Sequence, residues 1–288
     1  MALADPDLSG STAFITGTTR GIGKQIALAL ADHGCDVVST GKTTDDDDSE
    51  LEGSIEQTAR EVRDRGAEAL ALELDLRDEA RVETVVEEAI DHFGEVDVVI
   101  NNASAIQLAN VADLPADRFD LLTEVNVRGT HLVAHAFADH LAGLDGAWLL
   151  SNSPPVVTDR SPGKAPYAWS KLGMSYITLS LAEELAGDDV GCNTFWPVTT
   201  VDTRATRYFG LGTEDDWRTP EVVSDAVLEI LARDPSACTG NSFYDEALLR
   251  EAGVTDFSAY NLTDGDPAPM SARLFDPEFE REGDASAK

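Results

Sequence analysis

The chain has 288 residues, and its 54 acids against 21 bases give a formal charge of −33 at pH 7. A field of that sign repels phosphate backbones and anionic lipid surfaces, so neither nucleic acid nor a membrane is expected as a partner. The length suits one large α/β domain with a well-buried core.

Short β-rich runs alternate with longer stretches of helical period, the pattern of βαβ units around a parallel sheet. The first expected strand, Thr12 to Thr16, runs into Thr16-Gly17-Thr18-Thr19-Arg20-Gly21-Ile22-Gly23 and then a helix over Gly21 to His33. Glycines there permit a tight turn, close approach of backbone to a pyrophosphate and packing of helix on strand, while the helix N-terminus attracts the anion. The spacing is Gly-x-x-x-Gly-x-Gly. Following a first strand and opening a helix, it points to dinucleotide binding by residues 17–23.

The second strand, Asp36 to Thr40, ends in Ser39-Thr40-Gly41-Lys42-Thr43. An acid at that tip would bond a ribose 2′-hydroxyl and repel a 2′-phosphate. None stands there, and Lys42 with Arg20 offers positive charge, so NADP is favoured; the nearby run Asp45 to Asp48 cuts against it and leaves NAD possible. Four adjacent carboxylates without ordering neighbours are read as a hydrated loop, and no metal is expected.

A helix over Glu50 to Arg65 precedes the third strand, Glu68 to Leu74. Asp75 then either accepts from an adenine amino group or caps the helix Glu79 to Phe93. The fourth strand, Val96 to Ile100, leads into Asn101-Asn102-Ala103-Ser104, and a long helix is expected from Ala116 to Leu141. His131 and His135 lie four apart on it, but no Glu follows His131 in the zinc-protease manner, which favours a structural reading.

After the fifth strand, Ala147 to Ser151, the helix Pro166 to Ala186 opens with Tyr167-Ala168-Trp169-Ser170-Lys171. Residues four apart share a helix face. A phenol near pKa 10 is a poor acid or base at neutral pH, and a neighbouring cation lowers it, which is the chemical reason to single out this pair. The strands Val190 to Phe195 and Asn241 to Tyr244, with the helix Pro220 to Ala232, complete seven strands and six helices. Pro115, Pro166 and Pro220 stand at helix starts, where a missing N–H costs nothing. A doubly wound Rossmann domain over residues 1–257, helices on both faces, is followed by a tail over 258–288 that Gly265, Pro267, Pro269 and Pro277 mark as extended.

The glycine turn, Asn101-Asn102-Ala103-Ser104, Asn126 in Glu124-Val125-Asn126-Val127, and Tyr167 with Lys171 stand in the order and at the distances that resemble the short-chain dehydrogenase/reductase family. That resemblance implies hydride transfer between a nicotinamide and a carbonyl or alcohol. It implies Tyr167 exchanging a proton with the substrate oxygen, Lys171 lowering its pKa and holding the nicotinamide ribose, and Asn126 anchoring a proton-relay water. It also implies the Asn101 to Ser104 turn, with Asn102 and Ala103, flanking the cofactor, and Pro197, Val198 and Thr200 passing beside the nicotinamide, although the family's usual glycine is Val198 here. The family's substrate-polarising serine falls at Pro154 in Ser151-Asn152-Ser153-Pro154-Pro155. Ser153 serves only with a shifted loop, since adjacent strand positions face opposite ways. Family likeness also implies a homodimer or homotetramer.

The substrate pocket is expected between the Ser153 to Ala165 loop and the Val201 to Trp217 segment, with Arg204, Tyr208, Phe209 and Trp217 as lining candidates. Only five of the 21 bases are Lys, and the acids are spread along the chain, a surface suited to a salty cytoplasm. Cys35, Cys192 and Cys238 fit neither a disulfide framework nor a zinc site. No signal segment and no run of eighteen apolar residues is found, so a cytoplasmic location is expected. Two other readings stay open: a cofactor-binding sensor or assembly module without turnover, and an epimerase that returns its hydride.

Overall fold

The computed structural model describes residues 3–45 and 53–281. Seven parallel strands form the main sheet: β1 (Thr12–Thr16), β2 (Asp36–Gly41), β3 (Ala69–Glu73), β4 (Val98–Asn101), β5 (Ala147–Asn152), β6 (Val190–Trp196) and, after two short strands of a separate sheet, β9 (Ser242–Tyr244). Their order is β3-β2-β1-β4-β5-β6-β9. The chain reverses its direction of winding between β1 and β4, where a doubly wound sheet opens a crevice at the strand ends.

Alternation along each strand feeds two helical layers. On one face Ala13, Ile15 and Val37 pack with α1 (Gly21–Asp32), α2 (Ile55–Arg63), α8 (Glu221–Leu231) and α9 (Asp245–Glu251). On the other, Phe14, Val38 and Val99 pack with α3 (Glu79–Phe93), α5 (Gly129–Ala142) and α6 (Ala165–Glu184). Strands covered on both faces read as nearly continuous apolar runs, which is why they were legible.

Several boundaries differ from expectation. α2 begins at Ile55, not Glu50: Gly53 has φ +99°, and Ser54 accepts from the Gln57 N–H at 3.1 Å, a side-chain cap that fixes the start. The Asp45–Asp48 run lies partly outside the described residues. The helix expected from Ala116 to Leu141 is three segments, α4 (Ala116–Leu122), a π-helical stretch Thr123–Arg128 and α5. Pro115 and Pro220 occupy the position before the first helical residue.

Several elements have too few residues for a periodic signal. After β6 come β7 (Thr200–Val201), α7 (Arg204–Phe209) and β8 (Trp217–Arg218), which pairs in parallel with β7. The stretch expected as extended contains a 3-10 turn, Ser258–Tyr260, and one α-helical turn, α10 (Met270–Arg273), and it folds back onto the body, burying Ala272 and Phe275. No helix among the described residues is long and apolar enough to cross a membrane.

Candidate active site

A single cavity of about 920 Å³ opens at the carboxyl ends of β1, β4 and β5, and it gathers most of the candidate residues. Gly17, Thr19, Arg20, Gly21, Ile22 and Gly23 line its floor. Gly17 adopts φ +75°, and a Cβ there would stand 2.9 Å from the Ala103 backbone; a Cβ at Gly23 would stand 2.3 Å from the Gly17 carbonyl oxygen. Those contacts leave no room for side chains between the turn and the cavity, which is the bare backbone cradle a pyrophosphate requires. Asn102 secures the turn by donating to the Thr16 and Gly17 carbonyls, at 3.0 and 3.2 Å. Two lining residues also carry buried polar atoms without a partner, Arg20 Nε and Asn152 Oδ1. The cradle and these two atoms fit a phosphate-bearing cofactor.

Thr18 does not face the cavity. Its side chain is buried, with Oγ1 2.6 Å from the Ser39 hydroxyl, and it braces the turn from behind. Lys42 and Asp75 line the outer rim together, 3.3 Å apart. Asp75 is held well below the usual carboxylate range, first by Arg77, whose guanidinium clamps it at 2.6 Å, and less strongly by Lys42. It does not cap α3. Asp78 does, accepting from the Arg81 N–H.

Tyr167 and Lys171 sit on the buried face of α6, and both line the cavity. Lys171 donates to the Asn152 carbonyl at 2.6 Å and lies 5.2 Å from the centre of the Trp196 ring. Burial lowers its pKa to about 7 and raises that of the Tyr167 phenol. Burial thus works against the acidification of the phenol that the resemblance implies, since dry surroundings disfavour both the phenolate and the ammonium. The group that opposes burial at Tyr167 is the Ser104 hydroxyl, which itself donates to the Ala105 carbonyl at 3.2 Å.

Asn126 lies in the π-helical stretch, fully buried. Its Oδ1 accepts from the Ala105 N–H at 2.7 Å, and its Nδ2 donates to the Ala105 carbonyl and to the Ser170 hydroxyl. Both amide hydrogens are thus engaged in tying the 103–106 loop to α6, so the side chain holds protein rather than water. Widening the helix by one residue per turn is what turns this amide inward.

Ser153 is buried with its hydroxyl unpartnered, and it does not line the cavity; the neighbouring Asn152 does. Pro197 and Thr200 line it, whereas Val198 points away, its N–H donating to Asp245 Oδ1 at 2.8 Å and its carbonyl accepting from Ala272. Arg204, Tyr208 and Phe209 line it as expected, but Trp217 is buried beneath, donating to the Leu211 carbonyl. His131 and His135 are stacked on an exposed face of α5, with ring centres 5.9 Å apart, away from the cavity. All three cysteines are buried and unpaired.

Lining residues outside every stretch expected to form the site include Met270, Ser271 and Leu274, whereas Ser104 and Lys164 fall within the expected Asn101 to Ser104 turn and Ser153 to Ala165 loop without an assigned role there. Ser104 stood in a quoted motif, so its hydroxyl was the available signal. The tail residues gave none, since their approach depends on Phe275 docking beside Tyr167 and Trp196, at 6.4 and 5.2 Å between ring centres.

The crevice, the bare glycine cradle and the buried tyrosine and lysine on one helix agree with an independent match. Residues 11–211 fit the family model described as short chain dehydrogenase. The chain belongs to the short-chain dehydrogenase family. Among curated relatives it is 40% identical over 263 residues to hydroxysteroid dehydrogenase-like protein 2 of Rattus norvegicus and 39% identical to that of Homo sapiens, in each case across 90% of this chain. It spans 50% of the rat protein and 62% of the human one. A solved short-chain dehydrogenase of Mycobacterium thermoresistibile is 37% identical, covering 91% of this chain and 94% of its own, with a TM-score of 0.84. A family member from Mycobacterium paratuberculosis, solved bound to NAD, shares the fold at a TM-score of 0.71 and 21% identity, over 83% of this chain and 97% of its own.

Proposed function

We propose that this short-chain dehydrogenase family member is an NADP(H)-linked oxidoreductase that interconverts a carbonyl and an alcohol. The observation that carries the reading is the joint placement of Tyr167, Lys171 and Ser104 around the cavity that the glycine cradle opens into. When bound, the nicotinamide supplies or accepts the hydride. Residues 17–23 would hold the pyrophosphate, Lys42 and Arg20 a 2′-phosphate, and Asn102, Ala103, Pro197 and Thr200 the nicotinamide half.

Tyr167 gives its phenolic proton to the substrate oxygen during reduction and takes one back during oxidation. Lys171, already donating to the Asn152 carbonyl and to the Met174 sulfur, keeps one further N–H for a ribose hydroxyl. Asn126 positions the 103–106 loop. Ser104 supplies the hydroxyl that orients the substrate oxygen, in place of Ser153, whose own hydroxyl lies off the cavity. Thr18 and Val198 support the cofactor loops from behind.

Replacing Tyr167 with Phe removes the transferable proton and leaves the ring. Reduction of a carbonyl panel by NADPH should stop, while NADPH affinity measured by fluorescence stays near wild type. Turnover in Y167F would remove the assignment. Tight NADPH binding by the wild type with no compound of the panel reduced would favour the sensor or assembly module instead.

A further inference from the structure

In a chain with 54 acids, cations without a carboxylate partner are conspicuous, and four of them line one cavity. Arg20, Lys164, Lys171 and Arg204 form no ion pair among the described residues, whereas the fifth lining cation, Lys42, pairs with Asp75. The lining carboxylates are already engaged: Asp75 by Arg77 and Lys42, and Asp216 by the Thr213 N–H and hydroxyl at 2.9 and 3.1 Å. Arg20 and Arg204 lie close enough to repel each other at the cradle, and Lys171 is accounted for by the ribose. Lys164 is left over.

Lys164 precedes Tyr167 by three residues, about one helical turn, and stands at the position before the first residue of α6. Its loop is set by Gly163 at φ +78°, where an added Cβ would stand 3.9 Å from Asn110 Oδ1, so it runs beside the 103–111 loop whose Ser104, Ile106 and Leu108 line the same cavity as Tyr167. Two features make this an unfavourable place for a lysine in the absence of a ligand. It is half-buried, which lowers its pKa, and it stands at the positive end of a 20-residue helix. Among the described residues a cation there meets no carboxylate that compensates either effect. The same cavity is lined by the apolar side chains of Tyr208, Phe209, Met270 and Leu274.

Building on the proposed carbonyl chemistry, we infer that Lys164 is a substrate anchor and that the substrate class is an apolar carbonyl compound bearing a carboxylate a few bonds from the reacting carbon. The carboxylate meets Lys164 at the mouth of α6, the carbonyl reaches Tyr167 and Ser104 one turn deeper, and the hydrocarbon lies against Met270 and Leu274. The acidic exterior does not oppose this, since a cationic hollow with low-dielectric walls concentrates field lines within itself.

The test compares γ-oxodecanoic acid with its methyl ester, reduced by NADPH, in the wild type, K164M and K164R. A charged hydrogen bond of this kind is worth roughly a tenfold preference or more. The wild type should favour the acid in kcat/KM by about that factor, K164M should lose the preference chiefly through KM, and K164R should restore most of it. Equal use of acid and ester by the wild type, or a preference that survives in K164M, overturns the anchor and leaves the carbonyl reading standing. Should neither compound be reduced, calorimetric binding of octanoate and octanol to the NADP-loaded protein decides the matter. Octanoate binding that exceeds octanol binding and is lost in K164M supports the anchor even where the redox reading fails. Equal binding overturns it.

Discussion

Tyr167 and Lys171 are sealed into the same wall, and burial moves their proton affinities in opposite directions. For lysine the sign of the consequence follows directly. The folded state holds the amine at about 7, while the unfolded chain binds its proton up to the ordinary lysine range. Between those limits the unfolded state carries the extra proton, so stability rises with pH across the window. Below about 7 both states are protonated, and burial of the charge is borne in full. The cofactor-free protein should therefore gain resistance to urea from pH 7 to pH 8.5, offset towards the top of that range as the buried thiols ionise in the unfolded chain, an offset that K171M shares. K171M should start more stable at pH 7 and lack that part of the gain. Equal slopes in the two proteins would show that the amine is solvated. Ser104 gives a second check at this scale: S104A should lower kcat by about a hundredfold, the size of an oriented hydroxyl at a reacting oxygen, with little change in cofactor affinity. S153A, by contrast, should act through packing alone.

At the scale of elements, the segment from Asn261 to Arg281 is what completes the cavity. It is pinned by a buried ion cluster: Arg218, fully enclosed, binds Glu246, Asp266 and the Asn261 amide, while Arg281 binds Glu246 at 2.8 Å and Asp266 at 2.7 Å. Removing Arg281 leaves Glu246 paired with Arg218 and Arg250 and the exposed Asp266 paired with Arg218, so the loss is that of its charged hydrogen bonds, about 2 kcal/mol. R281M should lose stability of that order, expose Phe275 and Leu274 to protease, and raise KM for apolar substrates more than it lowers kcat. Denaturation and timed proteolysis read the outcome, and an unaltered cleavage pattern would sink the pinning role. The sequence does not announce this cluster, because Arg218, Glu246, Asp266 and Arg281 are far apart along the chain and meet only in the fold. What was legible had a local signature. The seven strands are apolar runs, and the glycine turn has a fixed spacing. The face shared by Tyr167 and Lys171 follows from helical period. What was not legible depends on partners outside the local pattern: Val198 is held away from the cavity by Asp245, Trp217 is drawn under by the Leu211 carbonyl, and Thr18 is held by Ser39. The π-helical stretch at Asn126 leaves no trace in hydropathy, and β7, β8, α7 and α10 are too short to show a period.

For the whole molecule, the charge of −33 sets two opposing responses to salt. The surface ion pairs, such as Arg81 with Glu88 and Arg233 with Glu251, are exposed and each contributes only about 0–1 kcal/mol, so screening them costs little. Repulsion among the surplus carboxylates is collective, and it is relieved as the Debye length falls from about 10 Å at 0.1 M to about 3 Å at 1 M. Stability should therefore climb as potassium chloride is raised from about 0.1 M to about 1 M. The cavity behaves in the reverse sense. Its unpaired Arg20, Lys164 and Arg204 attract anions through water-accessible field, which the same salt screens, so the apparent affinity for NADPH should weaken over that range. Thermal unfolding and NADPH titration on one salt series measure both. A midpoint that stays flat or falls would show that the acidic surface is not under strain from its own charge. An affinity that does not fall would place the phosphates away from these cations, and it would count against the cavity's positive interior that both the cofactor and the proposed carboxylate require.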